Sequence, residues 1–80
     1  MKVDLEGFEA FVAVAEHGSF SKAAAQLHIT QTALTRRIQK FELALGLKVL
    51  DRSTRHVALS SVGREFLPEA RAILRDVRSS

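Results

Sequence analysis

Hydrophobic residues recur every three or four positions along most of this chain, which is the spacing of helices that bury one face. The first series begins at Leu5 and stops at Gly18, a residue that suits the left-handed end of a helix, and it predicts a helix over about residues 5–17. Ser21 then precedes a run of small, strong helix formers. We expect Ser21 to cap a second helix of barely two turns.

A third helix is predicted over about residues 31–45, only three or four residues after the second, with Thr30 as its N-cap and Gly46 at its end. On a helical wheel one side is apolar and should face the core; it carries Leu34, Ile38, Phe41 and Leu45. The opposite side has hydrogen-bonding side chains without a carboxylate, namely Thr32, Thr35, Arg36, Gln39 and Lys40. Solvated helix faces usually mix Glu with Lys, so this face is unusual.

After Gly46 the hydrophobic period changes from 3.6 towards 2, which predicts a small β-hairpin with strands near residues 49–52 and 56–59. Ser60 or Ser61 caps a last helix, whose apolar stripe consists of Phe66, Ala70, Ile73, Leu74 and Val77. This stripe continues almost to the end of the sequence, where a core of 80 residues is not expected to cover it. The simplest way to bury the rest of this stripe is a dimer with a second copy of the chain.

Pro68 is the one local misfit of the last helix, because a proline in a helix interior removes a hydrogen bond and crowds the carbonyl of Arg64. Two structures fit the sequence. Either the helix kinks near residues 64–68, or residues 61–66 form a separate turn and the long helix begins at Pro68.

Length and composition narrow the class of protein. The 80 residues suit one small domain, and the absence of cysteine excludes a disulfide scaffold, a thiolate metal site and a cysteine nucleophile. His17, His28 and His56 are not paired at helical spacing, so we expect no metal site, no cofactor site and no enzyme. No stretch has the pattern of a signal peptide or a membrane span, which favours a soluble, cytoplasmic chain.

The basic residues are concentrated in the middle of the chain. The formal net charge is +3, but residues 36–56 alone hold six Lys or Arg and two Asp or Glu, a net +4, whereas residues 1–35 are net −2 and residues 57–80 net +1. The third helix and the hairpin therefore form the part of the chain suited to an anionic partner.

Two helices joined by a tight turn, the second with a polar to basic face, are the signature of a helix-turn-helix. Such residues read base edges in the major groove of DNA, so the predicted reading residues are those of the first two turns: Gln31, Thr32, Ala33, Thr35 and Arg36. Contacts to phosphates, or to the minor groove through the hairpin, are predicted for Ser21, Arg37, Lys40, Arg52 and Arg55. The alternative is a protein-interaction or dimerisation module that does not read DNA.

Five segments together resemble the N-terminal domain of LysR-type transcriptional regulators. They are FEAFVAVAEHGSFSKAA (8–24), LHITQTALTRRI (27–38), LALGL (43–47), LDR (50–52) and LSSVG (59–63). The resemblance covers nearly the whole chain, and as a set these motifs are highly specific.

The resemblance implies a mainly α fold, a winged helix-turn-helix with a three-helix core, a small β-hairpin wing and a C-terminal linker helix. It divides the chain into a DNA-binding domain over residues 1–59 and a linker or dimerisation helix over residues 60–80. It also implies double-stranded operator DNA as a partner, a homodimer through the last helix, and a higher oligomer for a full-length protein. A small-molecule effector would then bind a C-terminal domain for which this chain has no room.

Carried over by position, the resemblance places Gln31, Thr32, Ala33, Thr35 and Arg36 at the major groove, Ser21 and Lys40 near phosphates, and Arg52 and Arg55 on the wing. One position departs from the family pattern. The family usually has Pro where Thr32 stands, so the first turn of this helix gains an amide and a hydroxyl, and its base preference is expected to differ.

Overall fold

Over the residues that the structure describes, four helices and a two-stranded hairpin make up the fold. The computed structural model describes residues 5–51 and 58–79, with the side chains of residues 78 and 79 left out. The elements in chain order are α1 (Leu5–His17), α2 (Phe20–Leu27), α3 (Gln31–Leu45), β1 (Leu50–Asp51), β2 (Ala58–Leu59) and α4 (Ser61–Ser79).

Helix α1 has the predicted bounds and is the most buried element. The N–H of Gly18 donates to the carbonyl of Val14 at 2.8 Å, and Gly18 has φ +64°, the left-handed conformation expected at the helix end. Seven of its thirteen residues are buried, Phe8 and Phe11 among them. Helix α1 therefore forms the centre against which the other helices pack.

The predicted cap of α2 is wrong by two residues. Ser19, with φ −157° and ψ 131°, is the N-cap, and its hydroxyl accepts a hydrogen bond from the N–H of Lys22 at 3.2 Å. Phe20 starts the helix because its ring packs against the core, and Ser21 lies exposed in the first turn. The hydroxyl of Ser21 is thus not used as the cap.

The turn between α2 and α3 contains three residues, as expected. His28 has φ 59°, an uncommon conformation for a residue with a side chain, and the N–H of Ile29 donates to the carbonyl of Ala24 at 3.0 Å. Thr30 caps α3 as predicted, since its hydroxyl accepts from the N–H of Ala33 at 3.1 Å. The two helices of the predicted helix-turn-helix are therefore held by short, local hydrogen bonds.

Four phenylalanine rings join three helices at the core. Phe8 meets Phe41 edge-on with ring centroids 5.0 Å apart, and Phe11 stacks on Phe41 at 5.7 Å. Phe66 of α4 lies about as close to all three of these rings. The predicted apolar stripe of α3 completes this core, with Leu34, Ile38 and Phe41 buried and Leu45 half-buried.

The hairpin and the start of α4 agree with the sequence pattern. Strands β1 and β2 are antiparallel, with Leu50 opposite Leu59 and Asp51 opposite Ala58. The remainder of the predicted strands falls on residues 52–57, outside the described residues, or on Val49, which precedes β1. Of the two candidate caps for α4, Ser60 is the one used, since its hydroxyl accepts from the N–H of Gly63 at 3.0 Å.

Pro68 lies inside one continuous helix that begins at Ser61, so the alternative in which the long helix begins at Pro68 is wrong. The residues around the proline explain this result. Leu67 packs against the core and Ala70 is fully buried, so contacts on both sides of Pro68 hold the helix in place despite the missing N–H.

The apolar stripe of α4 divides into two parts. The assignment of this stripe to dimerisation stays a prediction, but Phe66 packs half-buried against the core and Ala70 and Leu74 are buried in it, so these three side chains are largely covered within one chain. The physical reason is that α4 lies along α1, which covers the stripe further than an 80-residue chain was expected to reach. Ile73 and Val77 remain exposed, at 40% and 46%.

Candidate nucleic-acid interface

The first two turns of α3 form a polar surface at the outside of the fold. Gln31, Thr32 and Arg36 are exposed, whereas Ala33 and Thr35 are half-buried beside them. All five residues predicted to read bases therefore lie within one short stretch of helix, with their side chains wholly or partly accessible. The half-buried position of Thr35 differs from the fully exposed one expected from the helical wheel.

Helix α2 lies beside α3 and adds polar groups to this region. Ser21 and Lys22 are exposed in the first turn of α2, and Lys40 is exposed further along α3. Helix α2 packs on both α1 and α3, and its buried residues, Ala23 and Ala24, are small. The structure thus keeps Ser21 and Lys40 accessible, as contacts to phosphates require.

Arg37 has a partner within the chain, which sequence reasoning did not foresee. Its guanidinium lies 3.2 Å from the carboxylate of Glu6 on α1, and its side chain is 31% exposed. The phosphate contact predicted for Arg37 stays a prediction, and it would compete with this partly exposed ion pair between α1 and α3.

The one acidic residue of α3, Glu42, points inward. It is 6% exposed, and its Oε2 accepts hydrogen bonds from the N–H of Val49 at 2.9 Å and of Leu50 at 3.3 Å. The sequence contained the signal for this, because Glu42 stands four residues after Ile38 and three before Leu45, on the apolar side of the helix. With Glu42 inside, the exposed face of α3 carries no carboxylate.

Arg52 and Arg55, the residues predicted on the wing, lie outside the described residues, as does His56. Their contacts with phosphate or the minor groove stay predictions. The described strands bring residues 51 and 58 next to each other, with Asp51 and Ala58 paired and exposed.

Other kinds of site find no support in the part of the chain that the structure describes. No three His, Asp or Glu side chains of residues 5–51 and 58–77 come together as ligands of a metal ion. Across the described helices, none is both long enough and apolar enough to cross a membrane.

These features define a class of protein. A short α2, a three-residue turn and an exposed, acid-free α3, followed by a hairpin and a long helix, make a winged helix-turn-helix domain. A model of the bacterial regulatory helix-turn-helix proteins of the lysR family matches residues 5–64. The chain belongs to the LysR family, as its sequence motifs indicated.

Known proteins similar to the chain agree with this assignment. It is 48% identical, over 94% of its length, to an HTH-type transcriptional regulator of Escherichia coli, YbhD, of which it covers 24%. Among solved structures, it resembles the DNA-binding domain of BenM in complex with benA site 1 DNA, with a TM-score of 0.90 and 39% identity over 96% of this chain and 86% of that one. It also resembles Vibrio fischeri DarR in complex with DNA, with a TM-score of 0.94 and 30% identity over 99% of this chain and 27% of that one.

The chain spans about a quarter to a half of the length of three curated relatives that it matches. Those relatives are named as transcriptional regulators rather than as enzymes. The comparison therefore concerns the helix-turn-helix part of longer proteins.

Proposed function

We propose that this chain binds double-stranded DNA sequence-specifically, as the DNA-binding part of a transcriptional regulator. Helix α3, over residues 31–45, lies in the major groove, and the wing, over residues 49–59, contacts the backbone or the minor groove. The observation that carries this proposal is the exposed face of α3, which is polar to basic and has no carboxylate because Glu42 is buried. The similarity to protein–DNA complexes of the same family supports it.

The base-reading residues are Gln31, Thr32, Ala33, Thr35 and Arg36. An arginine can donate two hydrogen bonds to one guanine, and a glutamine pairs with adenine, so Arg36 and Gln31 supply the strongest discrimination. The methyl groups of Ala33 and of the two threonines suit contact with thymine methyls. Thr32 can also donate through its hydroxyl, which the usual proline of the family cannot do.

Contacts to phosphates come from Ser21, Lys40, Arg52 and Arg55. They position the domain on the duplex without reading sequence, and they make the affinity depend on salt. The exposed positions of Ser21 and Lys40 support their share of this role. Arg37 contributes mainly through its ion pair with Glu6.

The second partner is another copy of the chain. Residues 60–80 act as the linker helix, and the exposed Ile73 and Val77 are the part of the predicted stripe that a two-fold partner would cover. In a longer protein, a further domain would bind a small-molecule effector and build a higher oligomer, in the cytoplasm. That the chain covers only a fraction of its relatives supports this division, with residues 1–59 as the DNA-binding unit.

The test is selection of duplexes from a random-sequence pool by the purified chain, followed by sequencing. We expect two related half-sites, about one helical turn or a multiple of it apart, because a two-fold dimer reads a two-fold site. Enrichment no greater than that of random fragments would instead favour the protein-interaction module.

A further inference from the structure

Glu42 contacts both ends of the connection from α3 to the hairpin. Its backbone carbonyl accepts from the N–H of Gly46 at 2.8 Å and of Leu47 at 3.2 Å, which ends α3. Its carboxylate accepts from the N–H groups of Val49 and Leu50, which start the hairpin. The end of the recognition helix and the start of the wing are therefore tied to the same side chain.

The same stretch of backbone is held on its carbonyl side by the start of α4. The hydroxyl of Ser60 donates to the carbonyl of Lys48 at 2.6 Å, and the N–H of Ser60 donates to the carbonyl of Val49 at 3.1 Å. Gly63 packs so closely that a Cβ there would lie 2.1 Å from the oxygen of Val49. A shift of residues 48–50 would therefore break hydrogen bonds of their N–H groups to Glu42 or of their carbonyl groups to Ser60.

We propose that Glu42, Ser60 and Gly63 form a clamp on residues 48–50, which sets the position of the wing relative to the reading face of α3. Glu42 is the positioning residue of this clamp. It does not touch DNA itself, because its carboxylate is buried and already occupied by two backbone N–H groups. The inference rests on the proposed function, since it assigns a role in presenting α3 and the wing to one duplex.

Chemistry at position 42 decides which substitutions preserve the clamp. Alanine leaves the N–H groups of Val49 and Leu50 without their acceptor in a buried site, which is costly. The amide oxygen of glutamine has two lone pairs and can accept from both, so E42Q keeps the clamp and removes the charge, together with the ion pair that Oε1 makes with the exposed Nζ of Lys48 at 3.9 Å. Glu69, exposed on α4, offers a matched control, since E69A removes one carboxylate from the surface.

The experiment uses the 80-residue chain without DNA first, and then with two probes: a duplex that the unmodified chain has selected and a random duplex of equal length. Amide hydrogen exchange at Val49 and Leu50 reports the clamp directly. We expect E42A to speed their exchange at least tenfold relative to the core amide of Ile38. It should weaken binding of the selected duplex at least tenfold and of the random duplex less than threefold.

E42Q and E69A should stay within threefold of the unmodified chain in all three measurements. The proposal is overturned if E42A leaves the two amides protected, if it weakens both duplexes equally, or if E42Q behaves like E42A. Should E42A fail to fold, S60A takes its place. It removes both the contact to the carbonyl of Lys48 and the cap of α4, so it is judged by the selected duplex losing at least tenfold and the random duplex less than threefold, and equal losses on the two duplexes overturn the proposal. If the unmodified chain selects no duplex, the proposed function is wrong. Hydrogen exchange at Val49 and Leu50 in E42A then still shows whether Glu42 holds the start of the hairpin.

Discussion

At the scale of single residues, the position of a charged side chain on α3 determines whether it is exposed, ion-paired or buried. Arg36, Arg37 and Glu42 all lie on α3, yet Arg36 is exposed, Arg37 pairs with α1 and Glu42 holds the hairpin from inside. The helical wheel accounts for Arg36 and could have found Glu42. The ion pair of Arg37 with Glu6 could not be predicted, because it depends on how α1 crosses α3, and that crossing is set by contacts distant in sequence.

Arg36 and Arg37 provide a matched pair of substitutions. We expect Arg36→Ala to weaken binding of the selected duplex by about 1–3 kcal/mol and to relax preference at one base pair, because a bidentate contact is lost. Arg37→Ala should leave base preference unchanged and lower the free energy of unfolding by less than about 1 kcal/mol, since its ion pair is partly exposed. Binding titrations on selected and random duplexes, with urea unfolding, check both. An equal loss on the two duplexes for Arg36→Ala would make it a phosphate contact.

At the scale of elements, the sequence predicted α1, α3 and the α2 to α3 turn nearly at their observed bounds, and the described strands of the hairpin lie within the predicted ones. Local signals suffice there, because glycine, threonine and an apolar stripe mark each start and end. The cap of α2 was missed, since Ser19 and Ser21 are both good caps and the choice follows from packing of Phe20 in the core. The continuity of α4 through Pro68 was left open for the same reason, as it depends on tertiary contacts of Leu67 and Ala70.

Substitutions of Ser19 and Ser21, at the start of α2, distinguish the residue that caps the helix from the residue proposed to bind phosphate. Ser19→Ala should lower the free energy of unfolding by about 1 kcal/mol, because the N–H of Lys22 loses its acceptor. Ser21→Ala should leave stability nearly unchanged and instead weaken binding to selected and random duplexes alike. Thermal or urea unfolding, paired with titrations, measures both effects. A larger loss of stability for Ser21→Ala than for Ser19→Ala would show that Ser21 is the cap after all.

The packing of α4 on the hairpin gives a further prediction. Gly63→Ala should lower the free energy of unfolding by about 1–3 kcal/mol, because the new Cβ meets backbone that cannot move aside. Gly7→Ala is the comparison: its Cβ would lie 2.7 Å from the ring of the buried Phe41, so it is also expected to destabilise the fold, but it meets a side chain at a longer distance and not backbone at 2.1 Å. Gly63→Ala should be the more damaging of the two in urea unfolding. A stabilised Gly63→Ala variant would contradict the close approach of α4 to Val49.

At the scale of the whole molecule, the fold places acidic residues of α1 in ion pairs and away from the reading face of α3. Ion pairs join Glu6 to Arg37 and Glu16 to Arg71, so two acids of α1 are engaged by basic residues of α3 and α4. The reading face of α3 is left with its polar and basic side chains accessible. The concentration of positive charge in residues 36–56 was visible in the sequence, but its distribution between an ion pair and an open face required the three-dimensional packing.

Assembly of two copies belongs to this scale as well. Ile73→Glu should weaken self-association and lower affinity for a duplex with two half-sites far more than for one half-site, because the exposed part of the α4 stripe becomes charged. Ala72→Glu, one residue away and also exposed, is the control. Sedimentation at several concentrations measures the association. Equal effects of the two substitutions would place the dimer contact elsewhere.

NMR contacts between protein and DNA test whether the first turns of α3 read bases in the major groove. In a complex with the selected duplex, the methyl groups of Thr32, Ala33 and Thr35 should show nuclear Overhauser effects to thymine methyl or cytosine H5 protons, which lie in that groove. Contacts confined to sugar protons, or base contacts from a different helix, would contradict base reading by α3.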